Sequence, residues 1–128
     1  MQKKSTIETY DAPKPIGPYS QAILTHQFLS CSGQIGMDPT SGDLVEKTAA
    51  EQAERAILNL RAVLRQAGLD LGDVVKVTLH LRSMDDSPQV NEVYARHFNQ
   101  PKPSRTTIGA ASLPKDSLVE IDAIAVTH

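Results

Sequence analysis

The sequence predicts an α+β fold, with two amphipathic helices packed on one face of a mixed sheet of five or six strands. Three stretches carry that reading. Ala49, Ala53, Ala56, Ile57, Leu60, Val63, Leu64 and Ala67 recur at three- and four-residue spacing, as on a helix with one apolar face. Val75, Val77, Leu79 and Leu81 alternate with Lys76, Thr78, His80 and Arg82, as on a half-buried strand. Over residues 118–126, Val119, Ile121, Ala123 and Ala125 fall on one side; Leu118, Glu120, Asp122, Ile124 and Val126 fall on the other.

Each element has a local cause. Residues 3–10 suit a short edge strand, and residues 11–18 hold Pro13, Pro15 and Pro18, which makes a stiff irregular loop. Tyr19 hangs from the end of that loop, a good mounting for a site residue. Strands near 20–25 and 27–32 pair as a hairpin across His26 and Gln27, and residues 33–36 end the second. Residues 38–43 are turn chemistry throughout. Thr48 and Glu51 form a capping box for the first helix, and Gly68 stands where that helix stops. Ser87 caps the second helix with Pro88 at its first position; the helix runs to about Phe98 and buries Val90, Val93, Tyr94 and Phe98. Pro103 cannot donate to a ladder, so the next strand begins after it, with Arg105 opening it. A turn through Leu113 and Pro114 leads to the last strand.

Composition bounds the function. A chain of 128 residues, 40% hydrophobic and 22% charged, fits one soluble globular domain, residues 1–128. Net charge is −2, which gives no electrostatic footprint for nucleic acid or an acidic membrane. Aromatic residues are 4% with no Trp, so no stacking platform for single strands is expected. One cysteine, Cys31, excludes an intrachain disulfide and suits a reducing compartment. No apolar run follows Lys3 and Lys4, and none reaches bilayer length, so the expectation is a cytoplasmic protein with no membrane partner.

Two carboxylates on a mostly apolar strand face need an explanation, since an unpaired buried charge is costly. Arg105, across the turn, is the expected partner of Glu120. Spacing alone leaves two readings open: a structural ion pair or solvated face, and a site in which a guanidinium fork grips a carboxylate. Cys31 has no nearby His to make it a thiolate and reads as core. His26, His80, His97 and His128 show no metal-ligand spacing, and no nucleotide motif is present, so no metal or cofactor is expected.

Residues 104–107 (Ser-Arg-Thr-Thr), 113–116 (Leu-Pro-Lys-Asp) and 119–126 (Val-Glu-Ile-Asp-Ala-Ile-Ala-Val) resemble the C-terminal signature of the Rid (reactive intermediate deaminase, RidA/YjgF) family. Residues 16–22, 31–35, and Asn91 to Tyr94 before Phe98 are similar to it in the same order and spacing. The resemblance implies a chorismate-mutase-like fold and a homotrimer whose sheets form a central barrel, with ligand clefts between subunits. It implies hydrolysis of 2-aminoacrylate and 2-iminobutanoate to 2-oxo acids and ammonia. By the same resemblance Arg105 clamps the substrate carboxylate and Glu120 positions water. Tyr19, Ser32, Gly33, Thr107 and Asn91 border the cleft, while Asp122 stays structural. Thr107 departs from the cysteine of better-known members, and Gly109 with Ala110 and Ala111 replaces bulkier residues, which touches substrate range. Two other readings stand beside this one: a non-catalytic trimer that binds 2-oxo acids, and an endoribonuclease.

Overall fold

The computed structural model describes residues 3–45 and 47–128. In chain order the elements are β1 (Ser5–Ile7), β2 (Ala22–Leu24), β3 (Phe28–Ile35), α1 (Ala49–Gln66), β4 (Val74–Leu81), α2 (Ser87–His97), β5 (Ser104–Gly109) and β6 (Val119–Val126). Short 3-10 turns at Leu71–Asp73, Met84–Asp86 and Pro114–Asp116 lead into β4, α2 and β6.

The six strands form one mixed sheet in the order β1-β2-β3-β6-β4-β5. β4 and β5 are parallel and joined through α2, the connection that parallel neighbours require. β6 inserts between β3 and β4 and is antiparallel to both. The last two strands are therefore not neighbours, contrary to expectation. β4 lies between them, because its β-branched, alternating sequence can pair on both edges and β5 takes its outer one.

α1 begins where Thr48 accepts a hydrogen bond from the Glu51 N–H at 3.2 Å; the Thr48 hydroxyl in turn donates to Glu51 Oε1 at 2.7 Å. It ends at Gly68, whose φ of +79° is the left-handed conformation that favours glycine. α2 starts one residue earlier than expected: Ser87 is already helical, and Asp86 occupies the cap position.

The core lies between α1, α2 and one face of the sheet. Val77, Leu79, Leu81, Val119, Ile121, Ala123 and Ala125 supply the strand side, and Ala56, Ile57, Leu60 and Leu64 supply much of the helix side. Val75 is not among them. The β4–β6 register shifts between Val74 and Lys76, which turns Val74 inward and leaves Val75 half-exposed. Leu118 precedes β6 and packs against this core rather than on the opposite face.

Two polar contacts fix the end of β3 on α1. The Asn59 amide, fully buried, donates to the carbonyls of Ile35 and Met37 at 3.1 and 2.8 Å. Gly36 lets the chains touch: a Cβ there would stand 2.6 Å from Gln52 Cα. The backbone that borders the candidate site is thus held by the helix behind it.

Candidate active site

The proline loop meets the sheet at a cavity of about 310 Å³. Its walls include Pro15, Ile16, Tyr19, Ile35, Met37 and Pro114, with Gly33 and Glu120 at its polar end. The loop has three prolines without N–H groups, so its carbonyls need donors from elsewhere. Gln21, 3% exposed, supplies them. Its amide nitrogen donates to the carbonyls of Pro13, Thr9 and Ala12 at 2.9, 3.0 and 3.3 Å, and its oxygen accepts the Thr9 N–H at 2.7 Å. Tyr19 closes the loop: its ring lies against Gly17, and its hydroxyl accepts from the Ile16 N–H at 3.4 Å.

Glu120 projects from β6 into the polar end. β3 bulges between Cys31 and Gln34, and Gly33 sits in that bulge. A Cβ on Gly33 would come within 2.7 Å of Glu120 Oε2, so any larger residue there would push the carboxylate from this position. Burial pushes the Glu120 carboxyl above its ordinary range; His80 opposes that shift and Asp122 adds to it. His80 Nε2 lies 3.2 Å from Asp122 Oδ2, which makes Asp122 a partner within the sheet. Ser32 precedes Gly33 but does not line the cavity; its hydroxyl donates to the Ser20 carbonyl at 2.6 Å and its N–H to the Gln21 carbonyl at 2.9 Å. Among the described residues, no three His, Cys, Asp or Glu side chains gather to hold a metal ion. Burial, and then Asp122, push the Cys31 thiol up to about 12, so it is no nucleophile at neutral pH.

Arg105 is elsewhere. It pairs with Val77 on β4 and shares that residue's face, toward the helices, whereas Glu120 pairs with His80 and shares the opposite face. The guanidinium carbon stands 4.6 Å from the centroid of the Tyr94 ring of α2. The expected Arg105–Glu120 ion pair is absent among the described residues. The intervening strand and the opposite parity separate the two side chains. Thr107 pairs with Leu79 and so accompanies Arg105, and Asn91 is exposed one helical turn before Tyr94. The predicted residues thus divide into two groups. Tyr19, Gly33 and Glu120 share the cavity; Arg105, Thr107 and Asn91 line the β5–α2 edge.

A family model described as Endoribonuclease L-PSP matches residues 9–127. The chain belongs to this family, the RidA/YjgF or Rid family. Human 2-iminobutanoate/2-iminopropanoate deaminase is 45% identical over 123 residues, 96% of this chain and 90% of that protein. A solved structure of a Rid family protein, YyfA from Yersinia pestis, is 45% identical with a TM-score of 0.94, over 97% of this chain and 99% of that one. E. coli TdcF, solved with bound serine, is 36% identical with a TM-score of 0.92, over 97% and 99%. Both residue groups fall inside the Rid match. Gln21, which holds the loop, and Tyr94, which meets Arg105, were missed as site residues in the sequence. The donor-poor proline loop was the available sign of the first, and the Arg–aromatic contact had no local sign.

Proposed function

We propose that this Rid protein is a 2-iminobutanoate/2-iminopropanoate deaminase, which hydrolyses 2-iminopropanoate, the imine tautomer of the enamine 2-aminoacrylate, and related imines to 2-oxo acids and ammonia. The observation that carries the reading is Glu120, a partly desolvated carboxylate at the polar end of a small apolar-walled cavity, in a chain 45% identical to the human deaminase. In this reading Glu120 holds a water and takes its proton as the oxygen adds to the C=N carbon. That proton passes to nitrogen to give a carbinolamine. The carbinolamine hydroxyl then yields its own proton to nitrogen by way of Glu120 as the C=O bond forms and the C–N bond breaks, and ammonia leaves behind a 2-oxo acid. The imine is already electrophilic, so the step needs no electron sink. Arg105, in no ion pair among the described residues, grips the substrate carboxylate through its planar fork. Tyr19, Ser32, Gly33, Thr107 and Asn91 shape the cleft.

Arg105 and Glu120 face opposite sides of one sheet, so a single chain does not bring them together. The reading therefore includes a homotrimer in which Arg105 of one copy completes the cavity of its neighbour. Phe28, Ile124, Val126 and Ile108 leave an apolar surface on the sheet face that no helix covers, which self-association would bury. Among the described residues no helix is long and apolar enough to cross a membrane, and we assign the protein to the cytoplasm, beside the dehydratases that release such imines.

Serine bound in TdcF favours a second reading, a trimer that senses small carboxylates without turnover. The family description keeps ribonuclease activity as a third, which the net charge of −2 disfavours; binding of RNA would fall steeply with salt. The deciding experiment couples a threonine dehydratase to wild type, Arg105→Ala and Glu120→Gln and traps residual imine with semicarbazide. Circular dichroism checks that each variant folds. Wild type should lower the trapped signal and both variants should not. A wild type without effect on serine- and threonine-derived imines overturns the deaminase reading, and an active Glu120→Gln overturns the role of that carboxylate.

A further inference from the structure

We propose that Tyr94 is the positioning residue for Arg105, an aromatic seat that aims the guanidinium without neutralising it. This rests on the reading of Arg105 as the carboxylate clamp. An arginine on an edge strand is long and needs an anchor to be aimed. Arg61, Arg65 and Arg82 each have an Asp partner within 4 Å, and Arg55 donates to Asn59 at 3.0 Å. Arg105 takes an aromatic ring instead. Its guanidinium carbon lies 4.6 Å from the Tyr94 ring centroid, and no acid among the described residues pairs with it.

The choice of partner has a chemical consequence. A carboxylate would occupy the N–H edge of the guanidinium and compete with an incoming substrate carboxylate. An aromatic ring takes the face of the group and leaves the edge donors free. The seat is itself fixed from behind. Tyr94 stacks on Phe98 one helical turn later, with centroids 4.4 Å apart and an interplanar angle of 23°. Phe98 is 1% exposed and Tyr94 6%, so both rings are held in the core while Arg105 itself is exposed.

The ring and not the hydroxyl carries this role. The Tyr94 hydroxyl is buried with no hydrogen-bond partner among the described residues. Burial also raises its pKa, against the pull of Arg105, so the group stays neutral at working pH and adds no charge to the seat.

The test combines Tyr94→Phe, Tyr94→Leu and Tyr94→Met with both the wild-type and the Arg105→Ala backgrounds. It measures kcat and KM for imine turnover, the Kd for 2-oxobutanoate by calorimetry, and thermal unfolding. Tyr94→Phe should keep KM and Kd within about twofold of wild type. Tyr94→Leu and Tyr94→Met should raise both by about 5–30-fold, the size of a partly desolvated cation–π contact, with kcat nearly unchanged. In the Arg105→Ala background the same substitutions should do nothing further. An independent readout is the Arg105 Nε–H resonance of the wild-type protein, which the ring current should move upfield. Ring-less variants that fold and bind like wild type overturn the proposal, and so does a KM effect that persists undiminished without Arg105. If Leu and Met both prevent folding, an unshifted Nε–H resonance overturns it. An Arg105→Ala variant with unaltered KM and Kd is distinct from these results: it refutes the clamp on which the proposal stands.

Discussion

The two faces of the sheet are made by the same strands yet have opposite fates. On β4 and β6, Val77, Leu81, Val119 and Ala125 are sealed under the helices. The intervening Ile124 and Val126 are 40% and 46% exposed. β-propensity cannot explain the difference, since Ile and Val are strong strand formers on either side. What differs is the cover. On β4 and β6 the helix face is apolar, as a core closed by its own chain must be, and the polar Arg105 and Thr107 enter it only on the edge strand β5. The open face is a mosaic in which Ile124 and Val126 adjoin hydrogen-bonded polar pairs, His80 with Asp122 at 3.2 Å and Lys76 with Thr106 at 2.8 Å. Self-association would bury that apolar part and keep the polar pairs satisfied. On the proposed reading, fold stability belongs to the helix face and self-association to the open one.

The strongest attack on this division uses the residues on opposite sides. Arg105→Ala and Glu120→Gln should each lower kcat/KM by about 10²–10³-fold. Co-assembled in equal amounts, the two inactive chains should recover about a quarter of wild-type activity if, as proposed, each site in a ring of three takes Arg105 from one chain and Glu120 from the next. No recovery in mixed trimers would mean that both residues act within one chain. Next in size is Ile124→Asp, which places a charge in the middle of the open face. Sedimentation should show monomers that retain their circular dichroism; an intact trimer would remove the interface from this face.

Leu60→Ala sharpens the comparison from the helix side. It should cost about 2–5 kcal/mol in urea denaturation while leaving the mass of the assembly unchanged. A variant that falls apart before it unfolds would couple the faces. The smallest effect is on pH. Burial raises the Glu120 pKa, so the ionised form that accepts a proton is lost earlier as pH falls. The acid limb of kcat/KM should therefore lie above the ordinary glutamate range, and Glu120→Gln should flatten it. A limb at the ordinary value would detach catalysis from this carboxylate.

Periodicity is local, and what depends on it was legible. α1, its stop at Gly68 and the alternation of β6 need no knowledge of distant residues. Register across strands is not local. Nothing in residues 104–126 reveals that β4 intervenes between β5 and β6, although the β-α-β order of β4, α2 and β5 favours a parallel pair. One unseen register shift likewise exchanged Val74 for Val75. The site followed the same rule. Arg105 and Glu120 stand out as candidates by their chemistry and motif setting, but the faces they take depend on parity counted through a third strand. Gln21 and Tyr94 looked like a motif letter and a core aromatic, since their roles arise only from what folding brings against them.

The Gln21 clamp has a kinetic meaning. Four hydrogen bonds made by Gln21, two with Thr9 just before the proline loop and two to Ala12 and Pro13 within it, set the start of that loop before any ligand arrives, so less ordering entropy is left to lose on binding. An imine in water is a perishable substrate, and an enzyme for it races spontaneous decay and stray reactions with other proteins. A wall that is already built lets capture proceed at the rate of encounter rather than wait for a lid to close. Such a site gives up the selectivity that closure provides and gains promptness, a sensible exchange where any reactive small imino acid is worth removing.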